Sequence, residues 1–119
     1  MLEVTFYRDS QQRLSSVFAT GHANFAEHGQ DIVCAAVSAI LQALRVGLET
    51  YADIPLDAYQ ESGEFHVRWP ETARDDPSVK AIVATAELSV ERIAVQYPEL
   101  VKIARESDRR ATPRPPKWY

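Results

Sequence analysis

The segment from Ile32 to Tyr51 constrains this chain most. It runs twenty residues with no proline, and Ile32, Val33, Cys34, Ala35, Ala36, Val37, Ala39, Ile40 and Leu41 make its first half apolar almost all round. The pattern predicts a helix with Asp31 as its N-cap. A helix of that composition is expected to be buried, lying across a sheet with another element on its far side. The apolar run from Ile32 to Leu41 is interrupted by Ser38 and falls far short of the ~20 residues of a membrane span, so no membrane is expected.

The flanking segments supply the sheet. Leu2, Val4 and Phe6 alternate with Glu3, Thr5 and Tyr7, the period-two signal of a half-buried strand. Arg8 to Arg13 reads as a polar turn and Leu14 to Thr20 as the return strand of a hairpin. A polar loop, Gly21 to Gln30, follows, with Gly21 and Gly29 expected to act as mobile hinges. Beyond the helix, Leu56–Glu61 and Glu64–Trp69 form two shorter strands turning around Gly63, with Phe65, Val67 and Trp69 facing the core. Asp76-Pro77 is an N-cap followed by proline at the first helical position, and the helix it opens runs to about Tyr97, where Pro98 stops it. Its inner stripe is Val79, Ile82, Val83, Ala86, Val90 and Ile93, and Leu100–Ala104 leaves room for a short last strand. The order ββαββα, with that strand added, predicts a two-layer α+β domain with two main helices on a mainly antiparallel sheet. With 119 residues, one domain accounts for the chain.

Charge is unevenly spread. Residues 105–119 hold Arg105, Arg109, Arg110, Arg114 and Lys117 against Glu106 and Asp108, net +3. Eight basic and fifteen acidic residues remain in 1–104, net −7. The proline-rich stretch 105–119 is expected to be a disordered basic tail, and 1–104 the folded domain. An acidic body favours a basic partner over nucleic acid.

The chain has one cysteine, Cys34, which excludes an intramolecular disulfide, and its three histidines are too scattered for a structural zinc site. A reducing cytoplasmic compartment fits, and the first residues lack the n- and h-regions of a signal peptide. With Asp31 as cap, Cys34 falls in the first helical turn, where unpaired N–H groups and the dipole lower a thiol pKa from its free value of ~8.5. His22, twelve residues upstream, is the natural base, able to stabilise a thiolate and protonate a leaving amine. Two readings stand on spacing alone: a reactive thiol, and a small buried hydrophobe beside a surface histidine.

The run Gly21-His22-Ala23 followed by Gly29-Gln30-Asp31-Ile32-Val33-Cys34-Ala35-Ala36-Val37-Ser38 resembles the hallmark of the ribosomal-processing cysteine protease family, Prp. The likeness covers about residues 1–104. It implies a Cys-His endopeptidase without a cofactor or metal, with Cys34 as nucleophile and His22 as base and acid. Asp31 and Ser38 match fixed family positions in supporting roles, first-turn N–H groups including that of Cys34 would form an oxyanion hole, and the Gly21–Gln30 loop would close on the peptide. The resemblance further implies a basic partner, the N-terminal extension of a large-subunit ribosomal protein (number twenty-seven) cut after an aromatic residue, and a homodimer. No direct nucleic-acid contact is expected. The alternative is a non-catalytic ribosome-associated binding protein of the same fold, with Cys34 inert.

Overall fold

A computed structural model describes residues 1–21 and 28–108, with residues 28–31 described as backbone. Its elements run β1 (Leu2–Arg8), β2 (Leu14–Thr20), α1 (His28–Val46) continued by a π-helical turn (Gly47–Tyr51), β3 (Asp57–Glu61), β4 (Glu64–Arg68), a 3-10 turn (Glu71–Ala73), α2 (Pro77–Gln96) and β5 (Val101–Ser107). The five strands lie in the order β3-β4-β2-β1-β5, antiparallel except that β5 runs parallel to β1. Both helices cover one face, so the expected two-layer α+β architecture holds, with both hairpins in place.

Alternation places the core. Val4, Phe6, Val17, Val67 and Trp69 are fully buried on the helix side of the sheet, facing Val37, Leu44 and Leu48 of the first helical segment and Val79 and Val90 of α2. Full burial of side chains this size stabilises by about 1.5–3 kcal/mol each. Trp69 closes one end of the core and its indole N–H donates to the Leu14 carbonyl at 2.8 Å. Asp76 caps α2 as expected, accepting from the backbone N–H of Ser78 at 2.7 Å and of Val79 at 3.4 Å, with Pro77 at the first helical position.

Three expectations are corrected. The first helix begins at His28 and not after Asp31, so Asp31 and Gly29 stand inside it despite the weak helix propensity of glycine. Asp31 is therefore not the N-cap, and Gly29 is helical rather than a loop hinge. Second, the helix is not covered on its far side among the described residues: Ile32 is 71% exposed, and Ala35, Ala36 and Ala39 are exposed. Only the stripe Val33, Val37, Leu41, Leu44 and Leu48 is buried, since a single layer of helices lies on the sheet. By length and composition alone Ile32–Tyr51 matches a membrane span, with mean hydropathy 1.7, as a core helix also can; here its buried stripe belongs to the core of the domain. Third, the last strand is longer and ends later than expected. β5 reaches Ser107 because it pairs with β1 along its full length, and Asp108 is buried beyond it, its carboxylate accepting from Ser15 at 3.1 Å and bonded to Arg68. Residues 105–108 thus belong to the folded domain, and the rest of the predicted tail, 109–119, lies outside the described residues.

Candidate active site

Cys34 reaches the surface where four elements meet. The start of β1, the end of β2, the β3–β4 turn and one side of α1 from Cys34 to Gln42 enclose an open pocket of 130 Å³. Its apolar wall is Leu2, Ala19, Val37, Leu41 and Phe65, and its polar rim is Gln42, Gln60, Glu61 and Glu64. Cys34, half-buried, and Ser38, exposed one helical turn further on, both line it. The i to i+4 spacing that puts the two on one face was legible in the sequence.

Two glycines hold the pocket mouth. Gly21 has φ +102° and Gly63 has φ +85°, values that side-chain-bearing residues rarely adopt. The Gly21 N–H donates to the Gly63 carbonyl at 3.1 Å, tying the end of β2 to the β3–β4 turn. A Cβ on Gly21 would stand 2.3 Å from the Met1 carbonyl oxygen, so glycine is also required by close packing.

The helix start alters the expected electrostatics. Cys34 is the seventh residue of α1, beyond the four N-terminal N–H groups that an α-helix leaves unpaired. Its own N–H belongs to the helical ladder, and the dipole effect falls off within the first turn. The expected oxyanion contribution of the Cys34 N–H, and the first-turn lowering of its thiol pKa, therefore lose their basis. His22 lies outside the described residues, as does the loop through residue 27; Gly21, its covalent neighbour, lines the pocket.

The rim is acidic. Tyr59 donates to Glu61, and this bond, with burial and the nearby charges of Glu61 and Glu64, pushes the Tyr59 pKa above its ordinary value. Sequence reasoning missed Gln42, Gln60, Glu61 and Glu64 as site residues. The glutamates flanking Gly63 were visible, but nothing local says that this turn faces Cys34. His66, expected on the polar surface, is half-buried on the uncovered sheet face and packs on Phe18 with ring centroids 4.0 Å apart. No cluster of three metal-ligating side chains occurs among the described residues.

The motif and this pocket can be set against known proteins. The family model of the cysteine protease Prp matches residues 1–102. The chain belongs to the Prp cysteine protease family. The ribosomal processing cysteine protease Prp of Bacillus subtilis is 32% identical over 107 residues, which cover 87% of this chain and 96% of that protein. Among solved structures, SMU.848 from Streptococcus mutans is similar with a TM-score of 0.83 and 31% identity, covering 91% of this chain and 99% of that one. Prp from Staphylococcus aureus in complex with a substrate peptide gives 0.78 and 27%, and with a covalently linked product peptide 0.74 and 26%. Each covers 88% of this chain and 99% of the Staphylococcus chain. The fold expected from the motif is that of the family, and the chain is a cysteine protease.

Proposed function

We propose that this protease cuts by a Cys34/His22 dyad, removing the N-terminal extension of large-subunit ribosomal protein number twenty-seven after an aromatic residue. The observation that carries the reading is the pocket at Cys34, the only thiol in the chain, whose wall includes Gly21, the residue directly before His22. Consecutive Cα atoms are about 3.8 Å apart, so covalent adjacency to Gly21 supports His22 as the base. Its imidazole takes on the activation that the helix start does not supply.

In the first step His22 accepts the Cys34 proton and the thiolate attacks the scissile carbonyl. The C–N bond breaks as the imidazolium protonates the leaving amine. A water, deprotonated by the same imidazole, then hydrolyses the thioester, releasing the carboxylate and restoring the thiol. No cofactor enters these steps. The apolar wall of Leu2, Leu41 and Phe65 suits an aromatic side chain before the cut, and the acidic rim suits a basic segment after it. Asp31 and Ser38 serve as supporting groups. Ser38 lines the pocket, and Asp31, in the first turn of α1, has the proposed role of orienting His22 rather than capping the helix.

The cytoplasm, where ribosomal precursors are made, is the compartment of this activity. The working form is a homodimer, supported by an apolar groove of 430 Å³ between α1 and α2, lined by residues including Ile40, Leu44 and Ile82, and by the exposed Leu88 and Val95. Sedimentation of the pure protein tests the dimer.

The catalytic assignment is tested by incubating the precursor with wild type, Cys34→Ala, Cys34→Ser and His22→Ala and sequencing the new N-terminus. The cysteine variants are expected to lose cleavage, and His22→Ala to lose several orders of magnitude in kcat/KM. Cleavage that survives Cys34→Ala overturns the dyad.

A further inference from the structure

One edge of the sheet adjoins the pocket. β3 is the outermost strand on that side, and its residues Gln60 and Glu61 line the pocket together with Cys34. Which of its backbone groups are already used follows from β4. The Gly63 carbonyl accepts from Gly21, and the Trp69 N–H donates to the Ser15 carbonyl, so the odd-numbered residues along β4 direct their backbone groups at β2. Bonding direction alternates in an antiparallel ladder. Glu64, His66 and Arg68 therefore direct theirs at β3, where the register pairs them with Glu61, Tyr59 and Asp57. That leaves the N–H and C=O of Ala58 and Gln60 pointing outward. Among the described residues, no backbone bond outside the strand ladders reaches either.

Asp57–Glu61 contains neither lysine nor proline, two of the residues that commonly blunt a sheet edge. Residues 57–64 carry Asp57, Glu61 and Glu64 and no basic side chain, a charge that selects a basic partner. Edge, charge and nucleophile are continuous, because Gln60 and Cys34 share one pocket wall.

We propose that the peptide substrate binds as an added strand on the free edge of β3, exchanging backbone hydrogen bonds with Ala58 and Gln60 as it leads into the Cys34 pocket. Main-chain bonds then hold the peptide whatever its sequence, while alternate side chains meet the pocket and the acidic rim. The inference rests on Cys34 being the nucleophile of the proposed function.

The test uses a fluorogenic peptide with phenylalanine before the scissile bond and lysines after it, N-methylated at one amide at a time outside the scissile bond. Lost main-chain bonds are expected to raise KM roughly tenfold at alternate positions on one side of the cut, with kcat little changed. On the protein, Ala58→Pro and Gln60→Pro remove N–H groups that β4 does not use, a change edge strands tolerate. KM should rise about as much in both, while in Ala58→Pro, whose site lies outside the pocket lining, the rate of Cys34 alkylation by iodoacetamide stays at the wild-type value. A flat N-methyl scan, or an unchanged KM in both folded proline variants, overturns the proposal. Loss of a dimer in Gln60→Pro with KM unmoved assigns the edge to a second copy of the chain and also overturns it. Unmodified peptide that shows no Cys34-dependent turnover sinks the catalytic reading, and this one with it, before any N-methyl comparison is made.

Discussion

Alanine at position 21 should disturb stability and activity together, and the size of the effect can be worked from local geometry. Gly21 holds φ +102°, and forcing an L-residue into left-handed backbone costs roughly 1–2 kcal/mol. The added Cβ would also lie 2.3 Å from the Met1 carbonyl oxygen, 3.3 Å from its carbon and 3.2 Å from the Leu2 Cα. These are backbone atoms at the start of β1, so no side-chain tip can swing aside; either the β1 start or the end of β2 must move. The bond most exposed to that movement is Gly21 N–H to the Gly63 carbonyl, worth about 1 kcal/mol. Gly21→Ala is thus expected to cost about 2–3 kcal/mol, which a domain with a typical 5–15 kcal/mol survives. Urea unfolding followed by the fluorescence of buried Trp69 measures the loss as a lower midpoint at constant slope. Because Gly21 lines the Cys34 pocket and precedes His22, kcat/KM should fall even where the variant is fully folded. A stability change below about 0.5 kcal/mol, with kcat/KM unchanged, would refute the geometry assigned to this turn.

Two further expectations concern the scaffold. Glu87, 4% exposed on the sheet side of α2, accepts from both terminal nitrogens of Arg8 at 2.9 and 3.0 Å and from Arg105 at 2.7 Å. Burial pushes its carboxyl up, but the hydrogen bonds from Arg8 and Arg105 outweigh that and hold it below the ordinary 4.5. Glu87→Gln should cost about 2 kcal/mol at neutral pH, under the 3–5 kcal/mol of a fully buried pair because both arginines are partly solvated. A depressed carboxyl adds stability above its unfolded pKa and loses it as pH falls through the folded value. The gap between wild type and Glu87→Gln in urea titrations should therefore close as pH drops below 4.5, and a gap independent of pH would contradict the charge assignment. Asp76→Ala removes the cap of α2 and should lower stability by about 1 kcal/mol in the same assay, with kcat/KM unaffected at this remove from the pocket.

Much of the fold was legible because the signals are local. Alternation at Leu2, Val4 and Phe6 and at Phe65 and Val67, the Gly63 turn and the Asp76-Pro77 cap each depend on a few neighbouring residues, and each stands as expected. The same locality misplaced the start of α1. Asp31 is a good cap in isolation, yet the helix continues upstream of it, and that one turn takes Cys34 out of the region of open N–H groups. β5 was underestimated for the converse reason. Its seven residues are held by a parallel partner, β1, roughly a hundred residues away in sequence, with which it pairs from Val101 to Ser107.

By itself the sequence determined the candidate nucleophile, the histidine proposed to serve it, the strand and helix types and the family, since motif spacing and periodicity are properties of contiguous residues. Tertiary structure alone decided that the β3–β4 turn forms the rim facing Cys34 and that, among the described residues, nothing covers the outer side of α1. It also left β3, among the described strands, at the edge of the sheet beside the pocket. Those outcomes depend on strand order and on which face each element buries, and burial free energy is summed over the whole domain.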